Sequence, residues 1–221
     1  MMVVHAMRDI AAGGEIFFSY VNPEHPFAER RKKLRDGYGF ECGCDLCRAE
    51  ADVRGAALEK RARLRAEIHS FVSAHRIDGD GPHKAVPAVQ KAKASKLLHE
   101  MRETYPPARF ERLPRLGCCV IGLWVALAAM TRSPGAAHGR FLDVLRDLGC
   151  FVTVWGSEVT VDRGRAVWTE TGLHAAMYAA QCLAATGNEV AASALEALGK
   201  EIYVALYGVE DGFEAESGRN S

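Results

Sequence analysis

The stretch YGFECGCDLC, residues 38–47, places three of the chain's seven cysteines within six positions. Cys42, Cys44 and Cys47 form the pattern C-x-C-x-x-C. Thiolates are soft ligands and suit zinc, which prefers four ligands in a tetrahedron. One tight turn can aim three such side chains at a point, and Gly43 lets the backbone fold that closely. A chance cluster of free thiols is the bland alternative. A redox pair at Cys44 and Cys47 is another, but it lacks the strand-then-helix setting of such pairs. Zinc is favoured, and three thiols leave one ligand to find. No other cysteine is near in sequence. His25 or a cysteine of the helical region folding back would supply it, or it lies outside this sequence.

Working outward, the composition narrows the classes. The chain has 221 residues, nearly half of them hydrophobic, with 28 basic and 28 acidic side chains. That balance gives no reason to expect direct nucleic-acid binding. The most apolar run, LGCCVIGLWVALAAM at 116–130, is 15 residues long. A spanning helix needs roughly 20, so a buried core helix is expected and a membrane partner is not. MMVVHAMRDI reaches Arg8 and Asp9 too soon for a secretory signal. An odd, uneven set of cysteines fits a metal site in a cytoplasmic or nuclear protein better than a disulfide framework. Cys118, Cys119, Cys150 and Cys182 lie in apolar surroundings and read as core packing.

The first 50 residues differ in character from the rest. AAGGEIFFSY reads as a Gly-Gly turn and a short strand, Glu15–Tyr20. NPEHP breaks the chain. FAERRKKLRDGYGF predicts a short helix over 27–36 ended by Gly37, with Arg30, Arg31, Lys32 and Lys33 on a solvated face. After residue 50 the pattern turns helical. Leu64, Ile68, Phe71 and His75 mark one helix near 52–75, and Ala94, Leu97, Leu98, Met101 and Tyr105 mark another. Residues 76–86 read as a loop, 116–130 as a third helix and 140–155 as a fourth. Within the last, CFVTVW equally fits a short buried strand. Two final helices follow: Leu173, Ala176, Met177, Ala180 and Leu183 on one, and Val190, Ala194, Leu198, Ile202 and Leu206 on the next. This pair resembles a tetratricopeptide-like hairpin. The expected fold is mainly α: a helical bundle, residues 51–221, preceded by a small β and zinc element.

The run MRDIAAGGEIFFSYVNPEHPFAERRKKLRDGYGFECGCDLC, residues 7–47, resembles the C-terminal end of a SET domain with its post-SET cysteines. RDI before GGEI resembles the entry to the last SET strand. FFSY resembles that strand's end at the active-site tyrosine. ERRKKLRDGYGF resembles the linking helix, and CGCDLC the zinc cysteines. The nearest branch is the SET-and-MYND proteins and their fungal relatives. The resemblance covers about a fifth of the chain.

The resemblance implies an S-adenosylmethionine-dependent protein-lysine methyltransferase. It assigns residues 1–36 to the end of the SET domain, 37–50 to the post-SET zinc segment and 51–221 to a helical C-terminal domain. Tyr20 matches the active-site tyrosine. Tyr38 and Phe40 match the aromatics of the adenosine pocket. Cys42, Cys44 and Cys47 match zinc ligands, with the fourth expected from an upstream cysteine motif that this sequence lacks. The chain is accordingly expected to be the C-terminal part of a longer enzyme and inactive by itself. The implied partner is a protein lysine, histone or non-histone, with a further protein partner on the helical domain. The alternative is a non-catalytic, zinc-containing interaction module. The implied location is nuclear, cytoplasmic or both.

Overall fold

Apolar residues at helical spacing dominate the chain, and helices result. The computed structural model describes residues 10–13, 19–74, 88–129, 134–209 and 213. Among them, α1 (Phe27–Tyr38), α2 (Asp45–Ala51), α3 (Gly55–Ala74), α4 (Ala88–Glu103) and the single turn α5 (Pro107–Phe110) come first. A 3₁₀ turn at Leu116–Cys118 leads to α6 (Ile121–Ala129) and α7 (Pro134–Asp147). A hairpin follows, β1 (Phe151–Trp155) and β2 (Glu158–Asp162), and then α8 (Glu170–Ala184) and α9 (Glu189–Tyr207). The fold is mainly α, as expected. The strand expected over Glu15–Tyr20 lies largely outside the described residues, as do His75 and the loop at 76–86.

Local chemistry sets the element ends. Thr169 caps α8 by accepting from the Gly172 amide at 3.2 Å, and Asn188 caps α9 by accepting from the Ala191 amide at 3.3 Å. Helix α1 ends at Gly39 (φ 72°), not at Gly37. Both are glycines, but only Gly39 takes the left-handed conformation that closes a helix. CFVTVW is a strand, and its partner β2 was not foreseen. The two pair antiparallel from Phe151 opposite Asp162 to Trp155 opposite Glu158.

The core runs from α3 to α9. Ile68, Met101, Leu123, Trp124, Leu145, Leu195 and Ile202 are all fully buried. Helices α8 and α9 pack most extensively, followed by α7 on α8. Gly199 permits a close approach of α9 to α8: a Cβ there would stand 2.6 Å from Met177 Sδ. The buried stripe of α9 is Ala191, Leu195, Leu198 and Ile202, while Val190 is exposed. Cys118, Cys119 and Cys150 are packing residues in this core, and Cys182 is half-buried. Burial pushes the Cys150 thiol up to about 12, so it is no nucleophile. Asp147, at the end of α7, is fully buried, ion-paired with Arg102 (2.9 Å) and Arg115 (2.9 Å).

Candidate metal centre and aromatic cluster

The αL turn at Gly39 reverses the chain after α1 and sends it through Phe40, Glu41 and Cys42 into α2. Arg31 donates to both carboxylate oxygens of Glu41 at 2.9 Å, tying this loop back to α1. Cys44 is the N-cap of α2, and its sulfur accepts from the Cys47 amide at 3.5 Å. This one turn brings the Cys42, Cys44 and Cys47 sulfurs within 4.8 Å of one another. Cys42 and Cys47 are partly buried and Cys44 is exposed. A cavity of about 100 Å³ between α1 and α2 reaches Cys42 and Cys47.

The Cys44 thiol is lowered to about 5, chiefly because Cys47 hydrogen-bonds to it. Cys47 is pushed up, chiefly because its thiol donates to Cys44 and so keeps its own proton, with burial adding to this. Arg30 lies beside Cys47 and favours its thiolate. Three convergent sulfurs, with Cys44 the readily ionised one, fit a soft divalent cation such as zinc. His25 is elsewhere: its Nδ1 lies 3.1 Å from Lys33 Nζ and 3.4 Å from Glu29. The buried cysteines of the helical region are elsewhere too. Among the described residues, neither fold-back ligand joins the trio.

The three aromatic residues singled out by the sequence also meet. The Tyr20 ring lies edge-on to Tyr38, with centroids 4.9 Å apart, and to Phe40, at 5.3 Å. Edge-to-face pairs of this kind stabilise by about 0.5–1.5 kcal/mol each. All three stay substantially exposed: Tyr20 41%, Tyr38 54%, Phe40 36%. The cluster therefore offers one apolar wall that is open on its far side.

Sequence reasoning missed what fastens this segment to the helices. Arg30 is 4% exposed, whereas its helix face was expected to be solvated. It pairs with Glu50 of α2 and donates to the Pro23 and His25 carbonyls, so it also holds the turn that follows Tyr20. Glu50, 3% exposed, accepts from Arg61 of α3 at 3.1 Å. Arg61 in turn donates to Thr104 Oγ1 (3.1 Å) and the Thr104 carbonyl (2.8 Å), and stacks 3.7 Å over the Tyr105 ring. A signal existed. Arg61 is in phase with Leu64, Ile68 and Phe71, and Arg30 with Leu34, so each charge sits on an apolar stripe. Outer contacts add to the clasp: Arg65 donates to the Glu24 carbonyl at 2.6 Å, and Arg165 pairs with Asp45.

No protein-family profile matches the chain. Part of it is 51% identical, over 47 residues, to histone-lysine N-methyltransferase SET5 of Yarrowia lipolytica; the match covers 21% of this chain and 11% of that protein. It is 43% identical over 73 residues to the SET5 protein of Scheffersomyces stipitis, covering 32% of this chain and 15% of that one. It is 40% identical over 60 residues to N-lysine methyltransferase SMYD2-B of Danio rerio, covering 27% and 14%. The chain thus spans 11–15% of the length of these relatives. One region of it is similar to SET- and SMYD-type lysine methyltransferases, and its cysteine cluster is suited to hold zinc.

A first prediction concerns the metal. Purified chain should carry zinc at one ion per molecule, held less tightly than in a closed four-ligand site. Cys44→Ser should lower that affinity by roughly 10²-fold or more, because it removes one of three protein ligands. Metal analysis and competition against a chelating dye measure both. Protein that retains no metal at any zinc concentration below the millimolar range would remove the zinc site.

Proposed function

We propose that residues 7–48 are the closing segment of a SET-type, S-adenosylmethionine-dependent protein-lysine N-methyltransferase. The observation that carries this is the convergence of Tyr20, Tyr38 and Phe40 in one cluster, with Phe40 only two positions before Cys42 in a trio of sulfurs that themselves converge. On this proposal residues 1–36 end the SET domain, 37–50 form the zinc segment and 51–221 form the helical domain. Zinc on Cys42, Cys44 and Cys47 fixes the turn that presents Phe40. S-adenosylmethionine, when bound, supplies the methyl group. Phe40 and Tyr38 give its adenosine a flat apolar surface. The Tyr20 hydroxyl, on a ring braced by both neighbours, orients the substrate amine so that its lone pair faces the methyl carbon. In the longer enzyme, further walls would close this surface and exclude water from that line. The substrate is a protein lysine, and the SET5 relatives point to histone lysines and hence to the nucleus.

Since the three rings are open to solvent on one side, they cannot orient a cofactor unaided. Residues 1–221 alone should bind S-adenosylmethionine weakly and transfer no methyl groups. Calorimetry and a radiolabelled-methyl assay check this. Clear activity from these residues alone would contradict it.

A second reading, a non-catalytic zinc-containing interaction module, is favoured by one observation. Trp155, at the turn of the β-hairpin, is 83% exposed on the helical region, and exposed tryptophans are common anchors for protein partners. A transplant separates the two. Residues 7–48 replace the corresponding segment of the Yarrowia lipolytica SET5 protein. Retained lysine methylation supports the enzyme reading. A folded, zinc-loaded but inactive transplant favours the module.

A further inference from the structure

Helix α2 is seven residues long and is anchored differently at its two ends. At its start Cys44 is the cap and Cys47 lies in the first turn. Near its end Glu50 is buried between Arg30 of α1 and Arg61 of α3. A helix this short does not hold by itself, so its formation depends on what grips each end. The two grips share a residue, since the Arg30 guanidinium that pairs with Glu50 also lies beside Cys47.

We propose that metal capture by Cys42, Cys44 and Cys47 and the docking of residues 19–51 on the helical region are one coupled equilibrium, with Glu50 as the positioning residue that presets α2 for a soft divalent cation. The proposal rests on the zinc site argued above and extends it. Coupling of this kind is reciprocal: the factor by which Glu50 tightens the metal is the factor by which the metal tightens the docking. Helix α2 is the two-state element that both sites bias.

The asymmetry of the cluster makes Glu50 the informative position. Without the Glu50 carboxylate, Arg61 keeps Thr104 and the Tyr105 ring. The helical half of the cluster therefore survives. Arg30 instead loses its only carboxylate among the described contacts and keeps two backbone carbonyls. A buried charge left without its partner favours release of the segment that carries it. The loss thus falls on α1 and α2, where the thiols are.

The test uses the whole chain of 221 residues, the parent and three variants, titrated with Zn²⁺ against a chelating dye. Glu50→Gln should weaken zinc by about tenfold or more, the scale on which supporting residues act on metal sites. The zinc-induced rise in thermal midpoint should shrink with it. Asp147→Asn is the control, since it alters the other buried carboxylate among the described residues, whose partners Arg102 and Arg115 lie outside α1 and α2. It should lower the thermal midpoint yet leave zinc affinity within about twofold, as distant sites are independent. Arg30→Lys keeps the charge but loses the forked donor, and should weaken zinc in the same direction as Glu50→Gln. If Glu50→Gln or Arg30→Lys, helical by circular dichroism, binds zinc like the parent, the coupling is overturned. If Asp147→Asn weakens zinc as much as Glu50→Gln, the effect is general destabilisation and the coupling is again overturned. A parent that takes up no zinc overturns the metal site itself, and this proposal with it.

Discussion

Leu198→Asp should destabilise the chain by about 4 kcal/mol or more, read as a fall in the midpoint of urea unfolding. Leu198 is 3% exposed on the face of α9 that packs on α8. Truncating such a leucine already costs about 2–5 kcal/mol through lost packing and the cavity left behind. An aspartate adds a carboxylate with no cationic partner in an apolar interior, which must be desolvated or protonated. The backbone gives little room to adjust. Gly199, the next residue, packs close against Met177 and Ala176 of α8, so α9 sits tightly on that helix here. Small domains hold only about 5–15 kcal/mol in total, so the variant should be partly unfolded at 37 °C. Val190→Asp, at the second position of the same helix, should be nearly silent because Val190 is 65% exposed. A Leu198→Asp chain that unfolds like the parent would show that the phase of α9 is wrong.

That pair of variants also marks how far the sequence could be read. The helices were legible because leucines and alanines recur at three and four positions, and burial follows that recurrence. The phase of α9 was less so. Ala191 and Ala192 are buried, yet alanine's small side chain gives a weak hydrophobic signal, and the larger Val190 drew the stripe one position away. Strand β1 was ambiguous because five apolar or β-branched residues suit a buried helix as well as a strand. Its partner was recoverable: Gly156 and Ser157 form a two-residue turn, and Val159 and Val161 alternate after it. The end of α1 was misplaced by two residues, since Gly37 and Gly39 are chemically identical and only the backbone angle separates them.

At the site, the thiols were legible because their ligand chemistry is local. The aromatic cluster was legible only through resemblance, as nothing in the spacing of Tyr20, Tyr38 and Phe40 says that they touch. The clasp of Arg30, Glu50 and Arg61 went unread. Its partners are 20 and 11 positions apart, and a charge in phase with an apolar stripe passes as a solvated one until its partner is placed. Arg30 shows the point most clearly. Its neighbours Arg31, Lys32 and Lys33 are exposed, and it alone of the four is turned inward.

The central claim is that Tyr20 belongs to a methyl-transfer site, and it is tested most directly by Tyr20→Phe in the transplant of residues 7–48 into the Yarrowia lipolytica SET5 protein. Phenylalanine keeps the ring and its edge-on contacts with Tyr38 and Phe40, and removes only the hydroxyl. Zinc content and folding should therefore not change. Loss of an orienting contact to the reacting amine should lower kcat by roughly 10²-fold, with little change in the KM for S-adenosylmethionine. That split identifies a group acting on alignment in the transition state rather than on cofactor affinity. A transplant whose kcat is the same with tyrosine or phenylalanine at position 20 would contradict the assignment and leave the zinc segment as a structural element alone.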